Sequence, residues 1–183
     1  YKAALTSDPV SAFGGIVCVN REVDSTFAET LNEIFTEVII APSFTKDALE
    51  LLKKKINRRL IIQHGTSVTS KKIDIKSVAN GYLCQTLDIV DDAKSEWKIV
   101  TKRAPTEKEM NALQFAWNVT RHVKSNAIVY TNATQVLAVG AGQMSRVDSA
   151  EIAVMKAGNA KLGLKGSVVG SDAFFPFADG LLK

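Results

Sequence analysis

The segment Gly140-Ala141-Gly142-Gln143-Met144-Ser145-Arg146 carries the strongest local chemistry in this sequence. It lies between an apolar run suited to a strand and a stretch with helical spacing. Glycines there let the backbone approach a ligand closely, and the amides that open the following helix favour an anion or a polarised carbonyl. Arg146 adds a planar fork of donors. A glycine-rich turn with a structural arginine is the equally weighted alternative. The dinucleotide fingerprint is excluded, because its third glycine and its downstream acidic residue are absent.

Three other segments carry similar signals. In Lys124-Ser125-Asn126 an asparagine can present a carbonyl and an amide to a planar group, or simply end a helix in the left-handed conformation. In Ser171–Phe177 three phenylalanines surround a proline, as an aromatic slot or as core packing. Ser11-Ala12-Phe13-Gly14-Gly15 again allows close backbone approach or is a plain turn, and Glu37 stands just before an apolar strand as an acceptor or an exposed edge residue.

The elements that must position these residues alternate between strand-like and helix-like patterns, which predicts an α/β fold. Gly15–Val19 is a continuous apolar run, expected as a strand buried on both faces. Helical spacing covers about Ser25–Phe35, and Val38–Pro42 is a strand stopped by proline. Thr45 caps a helix over Lys46–Lys55, and Arg59–Ile62 forms a third strand. Residues 67–95 read as an irregular excursion or hairpin. Thr106-Glu107-Lys108-Glu109 has the form of a capping box opening the longest helix, with Met110, Leu113 and Trp117 on one face. Strands over Ala127–Thr131 and Gln135–Val139 follow, joined tightly by Asn132-Ala133-Thr134. A helix over about Asp148–Ala157 and a strand at Ser167–Gly170 complete the series.

Composition bounds the function. The 183 residues suit one ordinary domain, with a hydrophobic fraction of 46% and a charged fraction of 23%. The net charge of +4 is mild and suits small anionic substrates. The basic run from Lys53 to Arg59 lacks aromatic interleaving, so it reads as a solvated helix end and strand start and not as a nucleic-acid platform. Cys18 and Cys84 sit among apolar residues and read as buried thiols in a reducing compartment. His64 and His122 have no partners at metal-ligand offsets. No apolar run is long enough to span a membrane. The opening residues Tyr1–Leu5 read as the end of a helix already under way, so the chain is expected to be an internal piece of a longer protein.

The order of these segments is more specific than any one of them. Ser7–Gly15, Glu37–Pro42, Val100–Arg103, Val123–Tyr130, Gly140–Arg146 and Ser171–Phe177 together closely resemble the bacterial bifunctional family that joins phosphoribosylaminoimidazolecarboxamide (AICAR) formyltransferase to inosine monophosphate (IMP) cyclohydrolase. The resemblance covers essentially the whole chain and is weakest over residues 67–95. It implies transfer of a formyl group from 10-formyltetrahydrofolate to the 5-amino group of AICAR. It also implies a duplicated cytidine-deaminase-like α/β fold without zinc, in a cytoplasmic homodimer with no nucleic-acid or membrane partner. Residues 1–104 would be the later part of the first deaminase-like unit, and 105–183 the early part of the second. By motif, Gly14, Glu37, Asn126 and Arg146 match positions that contact the AICAR nucleotide, and Val147, Phe174 and Asp179 match positions near the folate. The family's catalytic lysine and histidine, in a K-H-x-N-P motif preceding Ser7, are not in this chain, nor is the cyclohydrolase domain. The isolated chain is therefore expected to be inactive. The alternative is a non-catalytic deaminase-fold module that only binds nucleotides.

Overall fold

The structure, a computed structural model, describes residues 1–65, 73–87, 97–175 and 177–182. In chain order the elements are α1 (Lys2–Thr6), β1 (Gly15–Cys18), α2 (Ser25–Asn32), β2 (Thr36–Ala41), α3 (Lys46–Leu52), β3 (Arg59–Ile62), β4 (Ile73–Val78), β5 (Gly81–Thr86), α4 (Glu107–Thr120), β6 (Ile128–Thr131), β7 (Val136–Gly140), α5 (Arg146–Asn159), β8 (Val168–Ser171) and α6 (Asp179–Leu182). They form a mixed α/β arrangement with parallel and antiparallel sheets. The chain divides into two compact units, one of Phe13–Trp97 and one of Tyr1–Ala12 with Lys98–Lys183.

In the first unit β1, β2 and β3 pair in parallel in that order. The intervening helices are short and capped: Asp24 accepts from the Phe27 amide at 2.8 Å, and Thr45 from that of Ala48 at 3.3 Å. Leu31, Ile39, Leu52 and Val23 are fully buried between sheet and helices. Arg58 is also buried, although the sequence places it in a solvated basic run. Its Nε donates to Thr36 O at 2.9 Å and its Nη1 to Asn32 Oδ1 at 2.6 Å, which ties the end of α2 to the start of β2. Guanidinium burial is tolerable there because carbonyl acceptors replace water.

Two further expectations fail in this unit. β1 is not buried on both faces, since Ile16 is 70% exposed. The register Ile16↔Val38 and Cys18↔Ile40↔Ile61 puts these residues on one face, and Ile16, Cys18 and Ile61 are all exposed. Cys18 is thus an exposed thiol. Cys84 is exposed too, because β4 and β5 form a two-stranded antiparallel ribbon that no other described element covers. The hairpin expected within residues 67–95 is this ribbon; residues 67–72 and 88–95 lie outside the described residues.

In the second unit β6 is central, antiparallel to β7 on one side and β8 on the other. Alternation sends Ile128 and Tyr130 toward α5 and Thr131 toward α4, where its hydroxyl donates to Ala112 O at 3.1 Å. The capping box forms with both arms, and Glu109 also takes a two-pronged pair from Arg103 at 2.9 Å. The buried face of α4 is not the stripe of Met110, Leu113 and Trp117. It consists of Ala112, Ala116 and Thr120, while Trp117 is 49% exposed. Small side chains win this face because the helix backbone lies so near the sheet. A Cβ on Gly170 of β8 would come within 2.3 Å of Thr120 Oγ1 and 3.1 Å of Ala116 O.

The same holds for α5, whose buried residues are Ser149, Ala150, Ala153 and Ala157. A Cβ on Gly140 at the end of β7 would lie 1.7 Å from Ser149 O. Gly140→Ala should therefore destabilise the chain by roughly 1–3 kcal/mol or more through overpacking. Gly158→Ala, in α5 with open space around it, should stabilise it by about 0.5–1 kcal/mol. Urea midpoints of the two variants check this; equal midpoints would contradict the close-approach account.

Candidate functional site

Three segments far apart in sequence meet at the end of the second unit's sheet. They are the turn before β6, the glycine-rich turn between β7 and α5, and the residues after β8. α5 begins two residues earlier than the apolar periodicity suggests, at Arg146, with Ser145 as its cap. That places Arg146 in the first helical turn, next to the turn at Gly142. Gly142 takes φ +69°, and its amide donates to Lys124 O at 2.9 Å. The peptide bond between Ser125 and Asn126 is cis.

Asn126 is the hinge of this arrangement. Its Nδ2 donates to Gln143 O at 2.9 Å and to Met144 O at 3.0 Å, and its Oδ1 accepts from Arg146 Nη2 at 2.8 Å. Its own carbonyl accepts from Ser149 Oγ at 2.8 Å. The side chain thus locks the glycine-rich turn, and among the described residues one lone pair of Oδ1 is left over.

Arg146 is gripped from a second side. Its Nη1 donates to Asp172 Oδ1 at 2.5 Å and to Ser171 Oγ at 3.1 Å. Its Cζ stands 5.9 Å from the Phe175 ring centroid. The Arg146 and Asp172 side chains are only 13% and 19% exposed. Asp172 Oδ1 also accepts from the Ala127 amide at 2.9 Å. Burial alone would raise the Asp172 pKa. Hydrogen bonds from Ser125 and Ala127, with the Arg146 charge, outweigh it and hold the carboxyl at about 2.

The remaining sequence candidates are placed as follows. Val147 follows Arg146 in the first turn of α5 and is half-buried. Phe174 and Phe177 are 79% and 75% exposed, while Phe175 packs against the α5 core. Asp179 opens α6; its side chain and Pro176 lie outside the described residues. Gly14 and Glu37 belong to the other unit. Gly14 adopts φ +74°, and its amide donates to Phe35 O at 2.8 Å. Glu37 is the second residue of β2 and pairs with Arg59 on β3 at 2.7 Å, both side chains exposed. Asn126 and Arg146 are therefore in direct contact. Asp172 and Ser171, which complete the cluster, were not singled out by spacing, although both lie in the quoted Ser171–Phe177 segment. Among the described residues no group of three His, Cys, Asp or Glu could hold a metal ion, and no helix is long and apolar enough to cross a membrane.

Residues 1–156 match the family described as AICARFT/IMPCHase bienzyme. This chain belongs to that family. It is 52% identical over 181 residues to the bifunctional purine biosynthesis protein PurH of Chloroflexus aurantiacus, covering 99% of this chain and 35% of that protein. Identity to the proteins of the same name is 51% in Chlorobaculum parvum and 52% in Chelativorans sp., each match covering 100% of this chain and 35% of the relative. The chain spans about a third of the length of these relatives.

The depressed Asp172 pKa has a measurable consequence. Its folded value of about 2 is below the ordinary aspartate value. The stability it contributes is present in full above that ordinary value and is lost as pH falls from about 4 through about 2. Circular dichroism of acid unfolding should show wild type losing more stability across that window than Asp172→Asn. Parallel acid profiles would contradict the assignment.

Proposed function

We propose that this chain is part of the AICAR formyltransferase region of a bifunctional purine-biosynthesis enzyme. In that enzyme a formyl group passes from 10-formyltetrahydrofolate to the 5-amino group of AICAR, and a separate domain carries IMP cyclohydrolase. The reading includes a zinc-free cytidine-deaminase-like fold, in which 1–104 belong to a first unit and 105–183 to a second, and a homodimeric parent. The observation that carries it is the contact between Asn126 and Arg146. The family resemblance assigns these two residues to one ligand, and the fold holds them 2.8 Å apart at the mouth of the glycine-rich turn.

The chemistry suits such a cradle. The 5-amine of AICAR is a weak nucleophile, because its lone pair is delocalised into the imidazole and held by the adjacent carboxamide. Fixing that carboxamide orients the amine toward the formyl carbon, and orientation alone is worth orders of magnitude in rate. Gly14 and Glu37 would contribute to the nucleotide side, and Val147, Phe174 and Asp179 to the folate side. A base for the amine proton and donors for the oxyanion are also needed. The family's lysine–histidine pair supplies them from a segment this chain does not contain, so purified residues 1–183 should not turn over.

The test is formyl transfer by the full-length parent, followed as tetrahydrofolate release. Asn126→Ala should lower the rate by about 100-fold or more with the fold retained, because both the turn and Arg146 lose their anchor. An unchanged rate would remove Asn126 from the site, and an inactive wild-type parent would favour the module that only binds nucleotide.

A further inference from the structure

The glycine-rich turn carries an apolar side chain that neither the fold nor the chemistry above uses. Met144, two residues before Arg146, is 100% exposed. A single exposed apolar residue is ordinary, but this one stands on a backbone that is held in place. Asn126 Nδ2 donates to the carbonyls of Gln143 and Met144 at 2.9 and 3.0 Å, and the Gly142 amide donates to Lys124 O at 2.9 Å. Ser145, the next residue, caps α5. The turn cannot roll this side chain inward, and Gly140 and Ser149 at its base already touch with no room to spare. We propose that the Met144 thioether is a ligand contact, packing on the flat ring of the heterocycle held at Asn126 and Arg146, and that peroxide switches this contact off by oxidising the sulfur.

Methionine suits both halves of this. Its flexible, polarizable thioether makes favourable sulfur–aromatic contacts, and the ligands of the proposed reaction present two flat faces, the imidazole of AICAR and the ring system of the folate. In the oxidation a sulfur lone pair attacks one peroxide oxygen and the O–O bond breaks. The proton on the transferred oxygen passes to the departing hydroxide, so the sulfur becomes a sulfoxide and hydrogen peroxide is reduced to water. The product is polar where the thioether was apolar. At Met144 the change costs the fold nothing, because Asn126 holds the main-chain carbonyl and not the sulfur. Of the three methionines, Met155 on α5 is 55% exposed and Met110 on α4 is half-buried, so Met144 is the first to meet the oxidant. This deepens the reading above and rests on it only for the identity of the ring.

Hydrogen peroxide is the probe. In the 183-residue chain, peptide mass spectrometry should find oxygen on Met144 before Met155 and Met110, with the urea midpoint unchanged. In the full-length parent, saturating AICAR or folic acid should slow the oxidation of Met144, and the one that protects identifies the ring. Once peroxide is removed, the KM for that substrate should be raised about tenfold, the worth of one buried apolar side chain. Met144→Leu keeps an apolar contact without an oxidisable sulfur and corrects for every other oxidised residue. Its KM should stay near that of untreated wild type before and after peroxide. Protection by neither ligand, oxidation of Met155 ahead of Met144, or a KM that responds to peroxide alike in Met144→Leu and wild type would each overturn the proposal. An untreated parent without formyl transfer would sink the reading above instead, and the protection measurement, which needs no turnover, would still decide this one.

Discussion

Arg146 brings a full positive charge into a place where its side chain keeps 13% of its exposure, and that burial is the constraint around which the second unit is organised. Such a charge is costly unless it is paired and hydrogen-bonded. The pairing joins three stretches: Asn126, 20 residues before Arg146, Arg146 itself, and Ser171 with Asp172, 25 and 26 residues after it. None of these contacts exists unless β6, β7 and β8 have assembled and α5 has docked. The site and the fold are therefore the same physical event in this unit.

Docking so close is a matter of side-chain size. Gly140 lets the start of α5 press against the end of β7, and Ser149 at that contact also donates to the Asn126 carbonyl. Gly170 plays the corresponding role for α4 two residues before Asp172. Alanines line the buried faces of both helices. Larger residues would widen these gaps by more than the tolerance of a hydrogen bond. The apolar bulk is correspondingly displaced, so that Trp117 lies on the outer side of α4 while Ala116 faces the sheet.

The alternation of elements was legible in the sequence because it rests on local signals. The caps at Thr45 and Thr106 and the tight turn at Asn132–Thr134 all read directly from residue type. Asn126 and Arg146 were legible as candidates by type and by family resemblance. What local pattern could not supply was burial. Ile16 and Cys18 look like core by hydropathy, yet lie on an open sheet face; Arg58 looks solvated, yet is buried against Thr36 and Asn32. Asp172 carries no local signal beside the phenylalanines that follow it, since a pairing across 26 residues leaves no mark in spacing.

Arg146 and Asp172 act as one unit in holding this site together. The most direct measurement is a double-mutant cycle on the stability of the chain, using Arg146→Gln, Asp172→Asn and the pair. For a partly buried, charge-assisted contact the coupling energy should be roughly 1.5–3 kcal/mol, with the double variant less damaged than the sum of the singles. A coupling indistinguishable from zero would mean that the two side chains are neighbours without being partners.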